Sequence, residues 1–172
     1  DANGNRVGTG IVTGGDNRLA SDGTFNYEYD GEGNLVRRAE IATGDVTTYE
    51  WDHRNRLVHV ADTDSAGVLT QLVTFVYDVT DRRIAKTVDS DGAGPAPAET
   101  ERYVYDGSAL ALVFDGAGVE TERYLYGPRT DMVLAAVVDG AVLWPLADHL
   151  QTVRDVADST GAVVNHLQYD SF

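Results

Sequence analysis

The sequence predicts an all-β fold, an array of antiparallel β-hairpins forming one continuous curved sheet, and three observations predict it. An aromatic-x-aromatic-Asp motif recurs along the chain, a small polar pair follows each copy, and few windows longer than about ten residues escape a turn signal.

The motif is clearest at Tyr27-Glu28-Tyr29-Asp30, followed by Gly33, Asn34 and Leu35. It returns at Tyr49-Glu50-Trp51-Asp52 and at Phe75-Val76-Tyr77-Asp78, and in eroded form at Tyr103-Val104-Tyr105-Asp106 and Tyr124-Leu125-Tyr126-Gly127. Aromatics at i and i+2 fall on one face of a strand, so each copy offers a paired ring surface. Asp and Asn bond their own backbone and Gly accepts positive φ, so the residues after the rings form a turn. Apolar and polar residues then alternate, as in Leu35 with Arg37 and Leu57 with His59, and complete a hairpin. Spacing between copies is uneven, which hairpins tolerate by varying their turns and a helical solenoid does not. Gly92–Ala98 reads as a loop rather than a domain boundary, because the repeat resumes after it. Met132–Val138 and Ala141–Ala147 predict two buried strands joined by the turn Asp139-Gly140, with Pro145 at a bulge or an edge.

Composition narrows the function classes. The chain carries 28 Asp and Glu against 13 Lys and Arg, a net charge of −15. Binding nucleic acid or anionic lipid requires Lys and Arg to neutralise phosphate, so neither is an expected partner. Nine tyrosines and four phenylalanines are too many for a disordered acidic tail, so the chain is expected to fold. Cysteine is absent, which excludes disulfides and thiolate metal sites. No stretch approaches the ~20 apolar residues of a spanning helix, so no membrane insertion is expected, and the N-terminal residues carry no export signal. Both ends, Asp1–Arg6 and Tyr169–Phe172, look like interrupted copies of the repeat, which implies a piece of a longer protein.

Several clusters invite a chemical reading. Asp148-His149 with Arg154-Asp155 has a histidine beside carboxylates, as a hydrolase general base requires, yet no Gly-x-Ser-x-Gly or cysteine marks a nucleophile. The competing reading makes Asp148 and Asp155 turn starters and gives His149 and Arg154 inter-strand bonds, and it is the stronger. Asp62–Gly67 and Asp89–Gly94 resemble calcium loops but lack the required fifth and twelfth ligands, and acidic hairpin turns explain them better. His53, His59, His149 and His166 have no zinc spacing. Arg37, Arg38, Arg54, Arg56, Arg82 and Arg83 recur after the turns, as a ladder facing the turn aspartates. The rings are expected to bury against those of the next hairpin, the alternative being exposed Tyr and Trp, Trp51 among them, that stack on glycans as in an adhesin. No catalytic, cofactor-binding or metal-binding residue is assigned, and no cofactor is expected.

The repeats resemble the YD repeats of the RHS family, which includes the toxin-complex C component and the teneurins. The resemblance is strongest from Tyr124 onward: Arg123–Pro128, Val142–Leu150, Thr152–Asp155, Gly161–Val164 and Tyr169–Phe172 follow the order of the RHS-associated core. It divides one repeat region into YD repeats over 1–123 and a core-like segment over 124–172. It implies a β-strip that spirals into a shell around a C-terminal toxin, in proteins that are secreted or lie at the cell surface. The implied partners are the remainder of the same chain and its payload, with secretion machinery or glycans beyond them. Where the family shows Gly-Ser, this chain has Gln151-Thr152, so that turn is expected to be built differently. The family's aspartyl protease motif has no counterpart in these residues.

Overall fold

A computed structural model describes residues 8–170, leaving the expected interrupted copy at Asp1–Arg6 and the last two residues of the one at Tyr169–Phe172 outside the described residues. The chain is all-β, as the repeat predicts: the described residues hold fifteen strands and, between the first two, a 3-10 turn at Gly15–Asn17. They form two compact units, Asp1–Glu99 and Thr100–Phe172. The Gly92–Ala98 segment is a loop outside any strand, and the units part directly after it.

The first unit holds β1 (Ile11–Thr13), β2 (Leu19–Asp22), β3 (Phe25–Tyr29), β4 (Leu35–Glu40), β5 (Val46–Trp51), β6 (Leu57–Thr63), β7 (Leu69–Tyr77) and β8 (Arg83–Asp89). The second holds β9 (Glu99–Asp106), β10 (Ala109–Phe114), β11 (Glu120–Tyr126), β12 (Val133–Val138), β13 (Ala141–Ala147), β14 (Val153–Ala157) and β15 (Val163–His166). Within each unit every strand pairs antiparallel with its neighbours in chain order, so each is a meander whose alternate turns share a rim. The register slips by one residue at the second ring of several copies, between Glu28 and Tyr29, Glu50 and Trp51, Val76 and Tyr77, and Leu125 and Tyr126. Each slip is a β-bulge, which raises local twist beside the turn.

Alternation follows the sequence pattern. Both rings of each copy are half-buried on one face, while the residues between them, Glu28, Glu50, Val76, Val104 and Leu125, are exposed on the other. Burial is shallow: among the described residues Val113, Ala135, Ala136, Ala157 and Thr47 are the buried ones. Polar cross-strand pairs occupy the exposed face, with Glu28 opposite Arg37 at 2.6 Å and Glu50 opposite His59 at 2.9 Å.

One expectation for the second unit, that both β12 and β13 are buried, needs correction. β12 is buried through Ala135 and Ala136, but β13 is not, because Trp144 and Leu146 face outward at 45% and 46% exposure. Pro145 lies inside β13 opposite Val156, one residue short of the bulge between Leu146 and Ala147. The described pairing with β12 ends at Leu143, so the strand accommodates a residue without an N–H beyond that ladder's end.

Candidate functional site: the turn rim and its ring ladder

One carboxylate organises the repeated turn. The Asp52 N–H donates to the Arg56 carbonyl, the Asn55 N–H donates back to the Asp52 carbonyl, and Asp52 Oδ1 accepts the Arg54 and Arg56 N–H groups. Asp64, Asp78, Asp115, Asp148 and Asp158 repeat all four bonds in their own turns, and Asp30 accepts the Asn34 N–H in the same way. The fourth residue of each turn takes positive φ: Gly33, Asn55, Gly67, Asp81, Gly118, Gln151 and Gly161. The geometry demands that region and selects Gly, Asn or Asp. Gln151 is the exception at φ +67, and its turn is built like the others. The expectation that Gln151-Thr152 alters the turn is therefore corrected.

The second carboxylate oxygen takes an arginine. Arg56 Nε donates to Asp52 Oδ2 at 2.8 Å, Arg82 Nε to Asp78 Oδ2 at 2.7 Å and Arg154 Nε to Asp148 Oδ2 at 3.0 Å. The Arg56 bond, with the backbone donors, holds the Asp52 carboxyl down to about 2. Desolvation pushes Asp78 and Asp148 upward, but bonds from Thr80, Arg82 and the backbone at Asp78, and from Arg154 and the backbone at Asp148, outweigh it and hold both below the usual carboxylate range.

Arginines also clip turn to turn along one rim of the first unit. Arg18 donates to the Asp30 carbonyl, and Asn34 Nδ2 to Asn55 Oδ1. Arg54 reaches the Val79 carbonyl and Asp81, while Arg56 reaches the Asp78 carbonyl and Asp81. The expected ladder of arginines on turn aspartates thus holds for Arg54, Arg56 and Arg82. It fails for Arg37, which pairs with Glu28, and for Arg38, which donates to Thr47 and lies 4.8 Å from the Phe25 ring centroid; the Arg83 guanidinium lies 5.3 Å from the Phe75 centroid.

The rings themselves do something the sequence does not display. Tyr29 Oη donates to the Leu19 carbonyl at 3.0 Å, Trp51 Nε1 to Leu35 at 2.8 Å, Tyr77 Oη to Leu57 at 2.8 Å, Tyr126 Oη to Leu110 at 2.9 Å and Tyr169 Oη to Val153 at 3.0 Å. Each acceptor lies at the start of the strand that follows the preceding turn on the same rim, as the first residue at Leu19, Leu35, Leu57 and Val153 and the second at Leu110. Leu35 lies opposite Tyr29, Leu57 opposite Trp51 and Leu110 opposite Tyr105. Every clamp therefore ties one hairpin to the one before it. Arginines cover three of the rings: Arg18 over Tyr29 at 5.7 Å, Arg56 over Tyr77 at 4.9 Å and Arg154 over Tyr169 at 5.5 Å. Tyr29, Tyr77 and Tyr169 thus pack against arginines and carbonyls, which corrects for these copies the expectation of burial against rings of the next hairpin; Phe25 and Tyr27, 6.3 Å apart, share a strand. A ring with a polar tip, half-buried, needs a partner for that tip, and a bulged strand supplies a carbonyl.

The enzyme-like cluster comes apart. Asp148 is committed to its turn and Arg154, His149 is exposed, and Asp155 pairs across strands with His166 at 2.6 Å. Asp64 accepts backbone N–H groups in a hairpin turn and Asp89, at the end of β8, accepts them from the loop that follows, whereas Asp62 lies in β6 and accepts from Thr47 at 2.6 Å. His53 is exposed in the Asp52 turn, apart from the Glu50–His59 pair. Trp51 is half-buried with its indole N–H spent on Leu35, so it is not the outward ring a glycan platform would use.

Comparison with known proteins agrees with this arrangement. The teneurin YD-shell family model matches residues 1–172, and the chain belongs to that family. It is 32% identical over 185 residues to double-stranded DNA deaminase toxin A of Burkholderia cenocepacia, which covers 95% of this chain and 12% of that protein. It is 33% identical over 99 residues to the probable deoxyribonuclease RhsB of Dickeya dadantii, covering 56% of this chain and 6% of that protein. Against the tRNA(Glu)-specific nuclease WapA of Bacillus subtilis subsp. natto it is 27% identical over 158 residues, covering 91% and 6%. Among solved structures, a Photorhabdus luminescens Tc holotoxin pore aligns with 80% of this chain and 9% of its own at 11% identity and a TM-score of 0.41. The chain spans 12% or less of each of these three curated relatives. Family membership gives these residues a structural, shell-forming role.

Proposed function

We propose that this chain is a stretch of wall in a secreted or cell-surface RHS-type toxin, and that the shell it helps to build encloses the toxin's C-terminal payload until delivery. The observation that carries the reading is the YD-shell match over the whole chain, on a fold whose recurring polar chemistry is spent on tying hairpins together. Aspartates, arginines and ring hydroxyls that elsewhere would serve catalysis here satisfy backbone groups. Catalysis is assigned to no residue of this stretch, and the toxic activities in the relatives' names belong to those proteins. The partners are the rest of the same chain and the payload, and the region divides into YD repeats over 1–123 and a core-like segment over 124–172.

Limited proteolysis of the full-length protein tests the enclosure. The region after residue 172 should survive protease concentrations that digest the same region expressed alone. Equal rates of digestion would rule enclosure out.

A further inference from the structure

The sixth copy of the repeat is hidden, because both its rings are missing. Pro145, Leu146, Ala147 and Asp148 occupy the ring, spacer, ring and Asp positions: Asp148 starts the same turn, and the bulge falls between Leu146 and Ala147, as it falls before Tyr29, Trp51 and Tyr77. The residue that would cover its second ring is altered as well. Arg18 and Arg56 close their turns and lie over the next ring on the rim, and Met132 closes the corresponding turn, where the Gly127 N–H donates to its carbonyl at 2.8 Å. Met132 folds back onto Gly127, where an added Cβ would stand 2.7 Å from Sδ, so this turn carries Gly in place of Asp.

A cavity of 340 Å³ lies where ring and arginine are missing, lined by Met132, Val133, Leu134, Pro145, Ala147 and Val153. Asp131, Asp148 and Gln151 border it. The carbonyl that would receive the ring's donor follows from register. Leu35, Leu57 and Leu110 each sit opposite the preceding second ring, and Val133 sits opposite Tyr126 in the same way. The lining therefore supplies an apolar slot and one oriented acceptor, at the lower end of the ~300–1,000 Å³ range of ligand pockets.

We propose that this cavity is a binding socket for a phenolic ring, which fills the place of the missing tyrosine, lies beside Met132 and donates its hydroxyl to the Val133 carbonyl. The filled copies in the same chain are the template: Tyr29, Tyr77, Tyr126 and Tyr169 make that bond from within. A tyrosine presented by a polypeptide and a free phenol share this chemistry.

Met132 is the single methionine of the 172-residue chain, so a 13C-methyl-methionine label gives one resonance inside the socket. Titration with 4-methylphenol should move that resonance upfield to saturation, and toluene, lacking the hydroxyl, should bind roughly 3- to 10-fold more weakly. A Gly-Ser-flanked tyrosine peptide separates the sources: tighter binding than 4-methylphenol assigns the socket to a polypeptide tyrosine, and binding of 4-methylphenol alone assigns it to a free phenol. Ala147→Tyr should supply the ring internally, raise the melting temperature, shift the methyl resonance without ligand and abolish the response to 4-methylphenol. Absence of a saturable shift with either probe, equal binding of toluene, or an Ala147→Tyr chain that melts lower or fails to fold would each overturn the proposal.

Discussion

Gln151 holds φ +67 in a turn whose equivalents place Gly33, Gly67, Gly118 and Gly161 at that position. The left-handed region costs a residue bearing a Cβ about 1–2 kcal/mol, part of which glycine returns as chain entropy. Gln151→Gly should therefore stabilise the chain by roughly 0.5–1 kcal/mol in chemical unfolding. Tyr77→Phe removes the donor to the Leu57 carbonyl and leaves the ring and Arg56 in place. It should cost about 0.5–1.5 kcal/mol in the same measurement. The turn carboxylates set the acid limit. Asp30, Asp52, Asp148 and Asp158 are depressed by their bonds to Asn34, Arg56, Arg154 and Thr160 with neighbouring N–H groups, against desolvation that is the largest influence at Asp148. A depressed carboxyl contributes stability above its unfolded value, near 3.9, and loses it as pH falls through the folded value. Melting temperature should thus hold steady above about pH 5 and fall between about pH 4 and the Asp52 value of about 2. These turns were legible in the sequence because Asp, Gly and Asn announce them. The ring-to-carbonyl bonds were not, because a backbone acceptor leaves no mark on residue identity.

Elements depend on their neighbours more than on themselves. β3 and β4 are closed by the Asp30 turn, but Tyr29 and Trp51 fasten them to β2 and β5. The loop after β8 depends on close backbone approach: Gly92 has φ +57, and an added Cβ would stand 2.5 Å from the Leu69 carbonyl oxygen. Gly92→Ala should detach this loop from β7 and destabilise by more than about 1 kcal/mol, with new protease cleavage within residues 92–98 as the readout. The reading of β12 and β13 as a hairpin turning at Asp139-Gly140 came directly from sequence, since both residues take the positive φ such a turn requires. The exposure of β13 did not. An apolar run such as Val142-Leu143-Trp144 suits a buried strand and a strand with one uncovered face equally well, and only the third dimension separates them. The sixth copy was hidden for a related reason. A repeat is found by its rings, and Pro145 and Ala147 have none, whereas register and bulge position persist without them.

For the whole molecule, the order of strands follows the order of the chain within each unit, so every long contact is built by accumulating short ones. Few side chains are buried, and the tying is done by polar tips and charged pairs on a thin sheet rather than by a deep apolar core. That composition suits a wall, which needs lateral continuity more than thickness. The acidic balance of −15 fits the same role by keeping uncovered sheet soluble. A density map of the full-length protein gives the most direct test of the wall assignment. Residues 8–170 should appear as part of an enclosing sheet with the C-terminal segment inside it; the same hairpins standing free in solvent, enclosing nothing, would contradict the account.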